Sequence, residues 1–222
     1  MKYTSIFDVI GHIMVGPSSS HTAGACQIAY VARLLFGKKP KEVKIGLHGS
    51  FAETYRGHGT DIALLGGLLG FSPEDERIKD AFELAKKEQL TYTFEIVDLG
   101  AEYHPNSVSI ELIDGSDKMT VIGSSIGGGN IEIVELDGLE AGFGGEPNTL
   151  VILNKDKIGA LVNIATTLSK FKLNIGAMKI SRDLKKKIAL TWLESDSEIS
   201  EEVIEELKKY PEIIWVRIVN LN

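Results

Sequence analysis

Gly16-Pro17-Ser18-Ser19-Ser20-His21-Thr22 puts three hydroxyls, an imidazole and a fourth hydroxyl in consecutive positions after a turn-forming pair. Ala25, Ile28, Ala29, Ala32, Leu35 and Phe36 then recur at helical spacing, so a helix is predicted over 22–36 with the serine run at its start. Unpaired backbone N–H groups and the positive end of the helix dipole favour an anion such as a carboxylate there. A histidine beside such a cradle can carry a proton near neutral pH. The same residues also suit an ordinary helix cap, with one serine bonded to the backbone and the others solvated. Spacing does not choose between the two.

A second imidazole, His58, lies in Gly57-His58-Gly59-Thr60-Asp61. It reads as part of a glycine-rich turn before a short apolar helix through Leu69, with Thr60 as its N-cap and Asp61 in its first turn. Loop positions favour function, so His21 and His58 are the leading chemical residues. The alternative is that each simply bonds a turn. His104-Pro105-Asn106 is a turn former in its own right. Gly127-Gly128-Gly129 follows a strand, where bare backbone suits either a close ligand or a bulge. His12 and His48 lie in or beside apolar patterns and read as packing residues. No histidine pair has metal-ligand spacing, and no Gly-x-Gly-x-x-Gly joins a strand to a helix, so neither a zinc nor a dinucleotide site is expected.

The elements that must position these groups are legible in outline. The chain has 222 residues, 43% hydrophobic, with net charge −7. That is enough apolar material for a core and for one large or two modest domains. Basic residues are scattered, which argues against nucleic acid, and no apolar run suits a membrane span. The start, Met1-Lys2-Tyr3-Thr4-Ser5, has no signal-peptide pattern, so a cytoplasmic location is expected. Cys26 is the only cysteine, so an intrachain disulfide and a four-thiolate cluster are both excluded. Its place near the apolar face of the first helix reads as packing.

Four glycines and a proline within 138–147 mark a linker, dividing a segment 1–145 from a segment 148–222. In the first, a strand is predicted at 43–47. A helix starts at Ser72-Pro73-Glu74-Asp75 with Ile78, Ala81, Phe82 and Ala85 inward, and strands follow at 91–97, 107–113, 118–125 and 130–136. The fold class is α+β, with a largely antiparallel sheet in this mixed domain. The second segment reads strand 148–153, helix 158–171, strands 174–180 and 188–194, helix 200–207 and strand 213–219. Ile158, Leu161, Ile164, Ala165 and Leu168 are predicted inward. That is βαββαβ, the ferredoxin-like arrangement.

With these residues in view, the chain resembles the beta chains of bacterial iron–sulfur-dependent L-serine dehydratases. Gly-Pro-Ser-Ser-Ser-His-Thr, Gly-His-Gly-Thr-Asp (57–61), His-Pro-Asn (104–106) and Ser-Ile-Gly-Gly-Gly (125–129) stand in the family's order. The C-terminal segment looks like an ACT domain. The resemblance implies conversion of L-serine to pyruvate and ammonia by a [4Fe–4S] cluster whose cysteines belong to a separate alpha chain. It implies His58 and His21 as catalytic residues, and Ser18, Ser19, Ser20, Thr22, Asn106 and Gly128 around the substrate. This chain alone is then not the whole enzyme, in line with its single cysteine.

In ACT domains that bind serine, positions equivalent to Asn154, Asp156 and Asn174, beside Gly159, meet the amino acid across a dimer interface. Here Asn154 stands where that family has His, and Asp156 where it has Asn. A carboxylate at 156 suits an ammonium but repels an α-carboxylate. The segment therefore either binds an amino acid or only dimerises, edge strand against edge strand. Two further readings are a stand-alone amino-acid sensor and a regulatory fragment of a phosphoglycerate-dehydrogenase-like assembly.

Overall fold

The structure is a computed structural model that describes residues 14–144 and 148–221. His12 and the N-terminal residues weighed above lie outside the described residues, as does the 145–147 part of the linker. The chain divides between Gly138 and Leu139 into two compact units.

The first unit opens with a π-helical turn, Ser19–Ala23, that runs directly into helix α1 (Gly24–Phe36). Ala25, Ile28, Ala29, Ala32, Leu35 and Phe36 are buried as their spacing predicts, and Gly37 ends the helix in the left-handed region at φ 76°. Strand β1 (Glu42–Leu47), helix α2 (Gly49–His58) and helix α3 (Thr60–Leu69) follow. A 3₁₀ turn (Glu76–Asp80) leads into α4 (Ala81–Lys87), then strands β2 (Thr91–Ile96), β3 (Ser107–Asp114), β4 (Asp117–Gly127) and β5 (Asn130–Leu136). In this unit the strands lie in the order β2-β1-β3-β4-β5. Only β1 and β2 run parallel, joined by the helical crossover that a parallel pair requires. β1 with β3, β3 with β4, and β4 with β5 are antiparallel. The sheet is therefore largely antiparallel, as predicted.

Three local predictions need correction. The residues between His48 and Thr60 are not a glycine-rich turn but helix α2, whose one fully buried apolar side chain, Phe51, is too weak a signal to show as a stripe. His58 is consequently the last residue of a helix rather than part of a loop. Thr60 is not the cap of α3: Gly59, at φ 67°, is both the end of α2 and the start of α3, and Asp61 accepts a bond from the Ile62 N–H. The helix expected at Ser72-Pro73 starts later. Asp75 caps the 3₁₀ turn by accepting from the Arg77 N–H, and Phe82 is exposed against Tyr92 instead of facing inward.

The second unit begins inside the predicted linker, where Leu139–Phe143 forms strand β6. Leu139, Ala141 and Phe143 are buried, and the Ala141 carbonyl accepts the Trp192 indole N–H at 2.8 Å. The glycines that suggested a linker thus hide a strand of alternating burial. Then come β7 (Thr149–Lys155), α5 (Ala160–Lys170), β8 (Ile175–Asp183), β9 (Ile188–Ser195), α6 (Glu201–Leu207) and β10 (Ile213–Val219). The sheet order β10-β7-β9-β8, antiparallel throughout, is the ferredoxin-like βαββαβ topology. Leu150, Ile152, Ile164, Leu168, Leu193, Val203, Leu207 and Val216 form its core.

Gly159, at φ 92°, caps α5 and leaves Ile158 outside the helix and fully exposed. The inward face is Ala160, Ile164, Thr167 and Leu168; Leu161 and Ala165, predicted inward, point to solvent.

Candidate functional site

His21 is held at both ends. Ser18 has extended backbone and is the true cap of the π-helical turn, its hydroxyl accepting the His21 N–H at 3.1 Å. Across the fold, the His21 ring reaches helix α2, with Nε2 at 3.0 Å from the Ser50 hydroxyl. Its ring makes T-shaped contacts with two others, Phe51 at 5.4 Å and His58 at 4.7 Å between centroids. Thr22 closes the arrangement by donating its hydroxyl to the His58 carbonyl at 2.9 Å. Gly16 allows Thr22 that position: it sits at φ 128°, and a Cβ there would lie 2.3 Å from the threonine methyl. The two histidines, far apart in sequence, are thus one cluster. A single π-type turn at a helix start is a frequent functional feature.

His104-Pro105-Asn106 packs against the start of α2. Gly49, at φ 53°, leaves no room for a Cβ, which would stand 2.6 Å from the Pro105 carbonyl oxygen. The loop is braced internally: His104 Nδ1 accepts the Asn106 N–H, and Ser107 donates its hydroxyl to the His104 carbonyl at 2.6 Å. With that proton committed, Ser124 must donate to Ser107 in their 2.7 Å contact. Asn106 meets β4 through its carbonyl, which accepts the Ser125 N–H at 2.9 Å. His48, read as a packing residue, accepts the Leu99 N–H at Nδ1.

Six buried side-chain polar atoms have no partner among the described residues: His58 Nδ1, Thr60 Oγ1 and Ser125 Oγ in the first unit, and Asn154 Oδ1, Arg217 Nε and Asn220 Oδ1 in the second. Leaving a buried polar atom unpaired costs roughly 1–3 kcal/mol, so such atoms call for a functional account. His58 and Thr60 are neighbours across Gly59, in the same motif that drew attention in the sequence.

Other expectations fare differently. Gly128 belongs to a two-residue hairpin between Gly127 and Asn130, with Gly128 and Gly129 both left-handed. That is the type I′ geometry glycine favours, and it accounts for the triplet without a ligand. Of the two glycines that flank His58, Gly57 is ordinary helix and only Gly59 needs the left-handed region. In the second unit, Asp156 is engaged by Arg182, at 2.8 Å from Nε and 2.7 Å from Nη2. Asn174 donates to the Asp196 carboxylate, and Asn154, buried, donates to the Lys155 carbonyl. Asn154, Asp156 and Gly159 share the strand-to-helix connection, but Asn174 is turned to a different partner. Ser50, Phe51 and Ser125 escaped the sequence reading of the site. Had α2 been recognised, Ser50, Thr54 and His58 at i, i+4 and i+8 would have marked one face.

Burial lowers the pKa of His21 from its ordinary value, and the proximity of His58 lowers it further. The neutral form of His21 is thereby favoured over the imidazolium. A histidine whose pKa falls on folding makes the unfolded chain bind more protons, so stability is lost as pH drops through the unfolded value of about 6.5. A His21→Asn variant is expected to lose less melting temperature than wild type between pH 7.5 and pH 5.5. Parallel losses would show that His21 is not the group that titrates.

Cys26 is buried, donates its thiol to the Phe71 carbonyl and has its pKa pushed up to about 12 by burial. It is a packing residue, as expected, and no thiolate for a metal. Among the described residues no cluster of three His, Cys, Asp or Glu side chains could hold a metal ion, and no helix is long and apolar enough to cross a membrane.

The family profile described as "Serine dehydratase beta chain" matches residues 5–135. The chain is 44% identical over 216 residues to a "Probable L-serine dehydratase, beta chain" of Bacillus subtilis, covering 97% of this chain and 98% of that one. It is also 44% identical over 198 residues to the "L-serine dehydratase, beta chain" of Peptoniphilus asaccharolyticus, covering 89% of each. Among solved structures, the ACT domain from GTP pyrophosphokinase of Chlorobium tepidum matches 31% of this chain and 91% of its own, at 22% identity and TM-score 0.27.

Proposed function

The chain belongs to the serine dehydratase beta chain family, and from that premise we propose that it is the beta subunit of an L-serine ammonia-lyase that converts L-serine to pyruvate and ammonia together with an alpha chain. The observation that carries this is the meeting of His21 and His58, rings 4.7 Å apart, at the junction of the Ser18–Thr22 turn and the Gly57–Asp61 segment. Serine must lose its α-proton to a base and its β-hydroxyl as water, and the resulting aminoacrylate tautomerises and hydrolyses to pyruvate and ammonia. An imidazole is a suitable base for the α-proton, and a second one beside it can return or orient a proton. His58, with a buried unpaired Nδ1, is our candidate for that base, and His21 for the group that returns or orients a proton. The hydroxyls of Ser19 and Ser20 are assigned to the substrate carboxylate. Ser18 is already committed as a cap and Thr22 to His58.

The [4Fe–4S] cluster implied by the resemblance does not fit this chain, whose one thiol is buried, hydrogen-bonded and held protonated. We assign the cluster to the alpha chain, so no step here is routed through it. The second unit is proposed as an ACT-type dimer module in a cytoplasmic enzyme. Met178 and Ile180 on edge strand β8 stand opposite Leu193 and Thr191 and are exposed, as are Leu161 and Val162 of α5. An apolar edge of that kind is where a second copy would pair. The Asp156–Arg182 pair supports the dimer over an amino-acid site, since the carboxylate is already neutralised.

The test is anaerobic pyruvate formation from L-serine by this chain alone and with its cluster-loaded alpha chain. Turnover is expected only from the pair. Silence from both, with the cluster intact, would favour an amino-acid sensor.

A further inference from the structure

His21 is fixed by a residue that lies in none of the motifs above. Ser50 sits in the first turn of α2, and three features place it. Gly49 lies against the Pro105 backbone with no space for a side chain. Phe51, fully buried, donates its N–H to the Pro105 carbonyl. Thr54 donates its hydroxyl to the Ser50 carbonyl at 2.7 Å, tightening the turn. The start of α2 therefore cannot drift relative to the His104–Asn106 loop, and the Ser50 hydroxyl arrives 3.0 Å from His21 Nε2. The ring is otherwise in T-shaped contact with Phe51 and His58, contacts that constrain its plane.

We propose that Ser50 is a positioning residue for His21, holding the ring through Nε2 so that Nδ1 is the nitrogen left to exchange a proton beside His58. A hydrogen bond at one nitrogen fixes the orientation of the ring, and the serine hydroxyl, able to donate or accept, holds Nε2 in either tautomer. A ring free to flip would present either nitrogen and lose the near-attack geometry that proton transfer needs. The role rests on the assignment of His21 to the proton-transfer pair in the preceding subsection.

The test uses Ser50→Ala, Ser50→Val and Ser50→Thr, the last two alike in shape and differing in the hydroxyl. Imidazole ¹⁵N signals are recorded on this chain, and kcat and KM on the pair with the alpha chain. In S50A and S50V the His21 Nε2 signal is expected to shift as its hydrogen bond is lost. With it kcat should fall on the order of ten- to a hundredfold, with KM changed less than about threefold because substrate binding is left intact. S50T should restore both readouts. Unchanged ¹⁵N signals in S50V, or wild-type kcat despite shifted signals, would overturn the proposal. A wild-type pair that makes no pyruvate would strike at the functional assignment instead, and unaltered ¹⁵N signals would still refute the hold of Ser50 on His21.

Discussion

His58→Ala is expected to lower pyruvate formation by the reconstituted pair by roughly 10²- to 10⁴-fold, the range over which a positioned acid or base accelerates proton transfer. The fold should survive. The His58 ring is only half-buried, and its main structural tie is the backbone carbonyl that takes the Thr22 hydroxyl, which alanine keeps. The ring contact with His21 is the principal loss, about 0.5–1.5 kcal/mol for such a pair. The unpaired Nδ1 disappears with the ring, which offsets part of that. Activity should therefore collapse while the melting temperature moves by a few degrees. His21→Ala should also be slow, and the double variant should lose far less than the product of the two, because groups that act as a unit are not additive. Turnover near wild type in H58A with a dead H21A would transfer the base to His21. Near-wild-type turnover in both would remove the pair from the chemistry.

How much of this was open to a reading of the residues depends on where the signal lies. Helix α1 announces itself because its apolar residues recur at helical spacing, the second unit because its elements follow the βαββαβ order, and strands β3 to β5 because their turns are strong glycine signals. Helix α2 does not. It is short and polar, flanked by glycines, and anchored mainly by Phe51 and by backbone bonds to Pro105, neither of which has a period. Ser50 was therefore invisible as a site residue, although the histidine it holds was obvious. β6 was hidden for the converse reason: Gly138 and Gly142, at φ 83° and 89°, mimic a linker around three buried side chains. The chemistry was legible as residue types and order; the closeness of His21 to His58 was not, because it is set by how two helices cross.

That crossing yields the second large effect. Helix α1 begins where the His21 turn ends, and α3 begins one residue after His58-Gly59, so the two helix starts carry the two halves of the site. Gly67, in the last turn of α3, is a contact point. A Cβ there would lie 2.2 Å from the Cys26 carbonyl oxygen, 2.7 Å from the Tyr30 nitrogen and 2.8 Å from the Ala29 methyl. Two of these three atoms are helical backbone and cannot swing aside. Gly67→Ala gains about 1 kcal/mol in helix propensity but must push the helices apart, an overpacking cost of typically 1–3 kcal/mol and more where backbone meets backbone. The steric cost wins. Gly67→Ala is expected to be net destabilising by about 1–2 kcal/mol, read as a lower midpoint in urea, with weaker pyruvate formation because His21 and His58 separate. Gly57→Ala is the matched control. It lies in α2 beside His58, is exposed, and has nothing within 4 Å of the added carbon, so only the propensity gain remains and the chain should become more stable by about 0.4–1 kcal/mol. If Gly67→Ala were as stabilising as Gly57→Ala, the close approach of α1 and α3 would be wrong, and with it the reason that two histidines distant in sequence share one site.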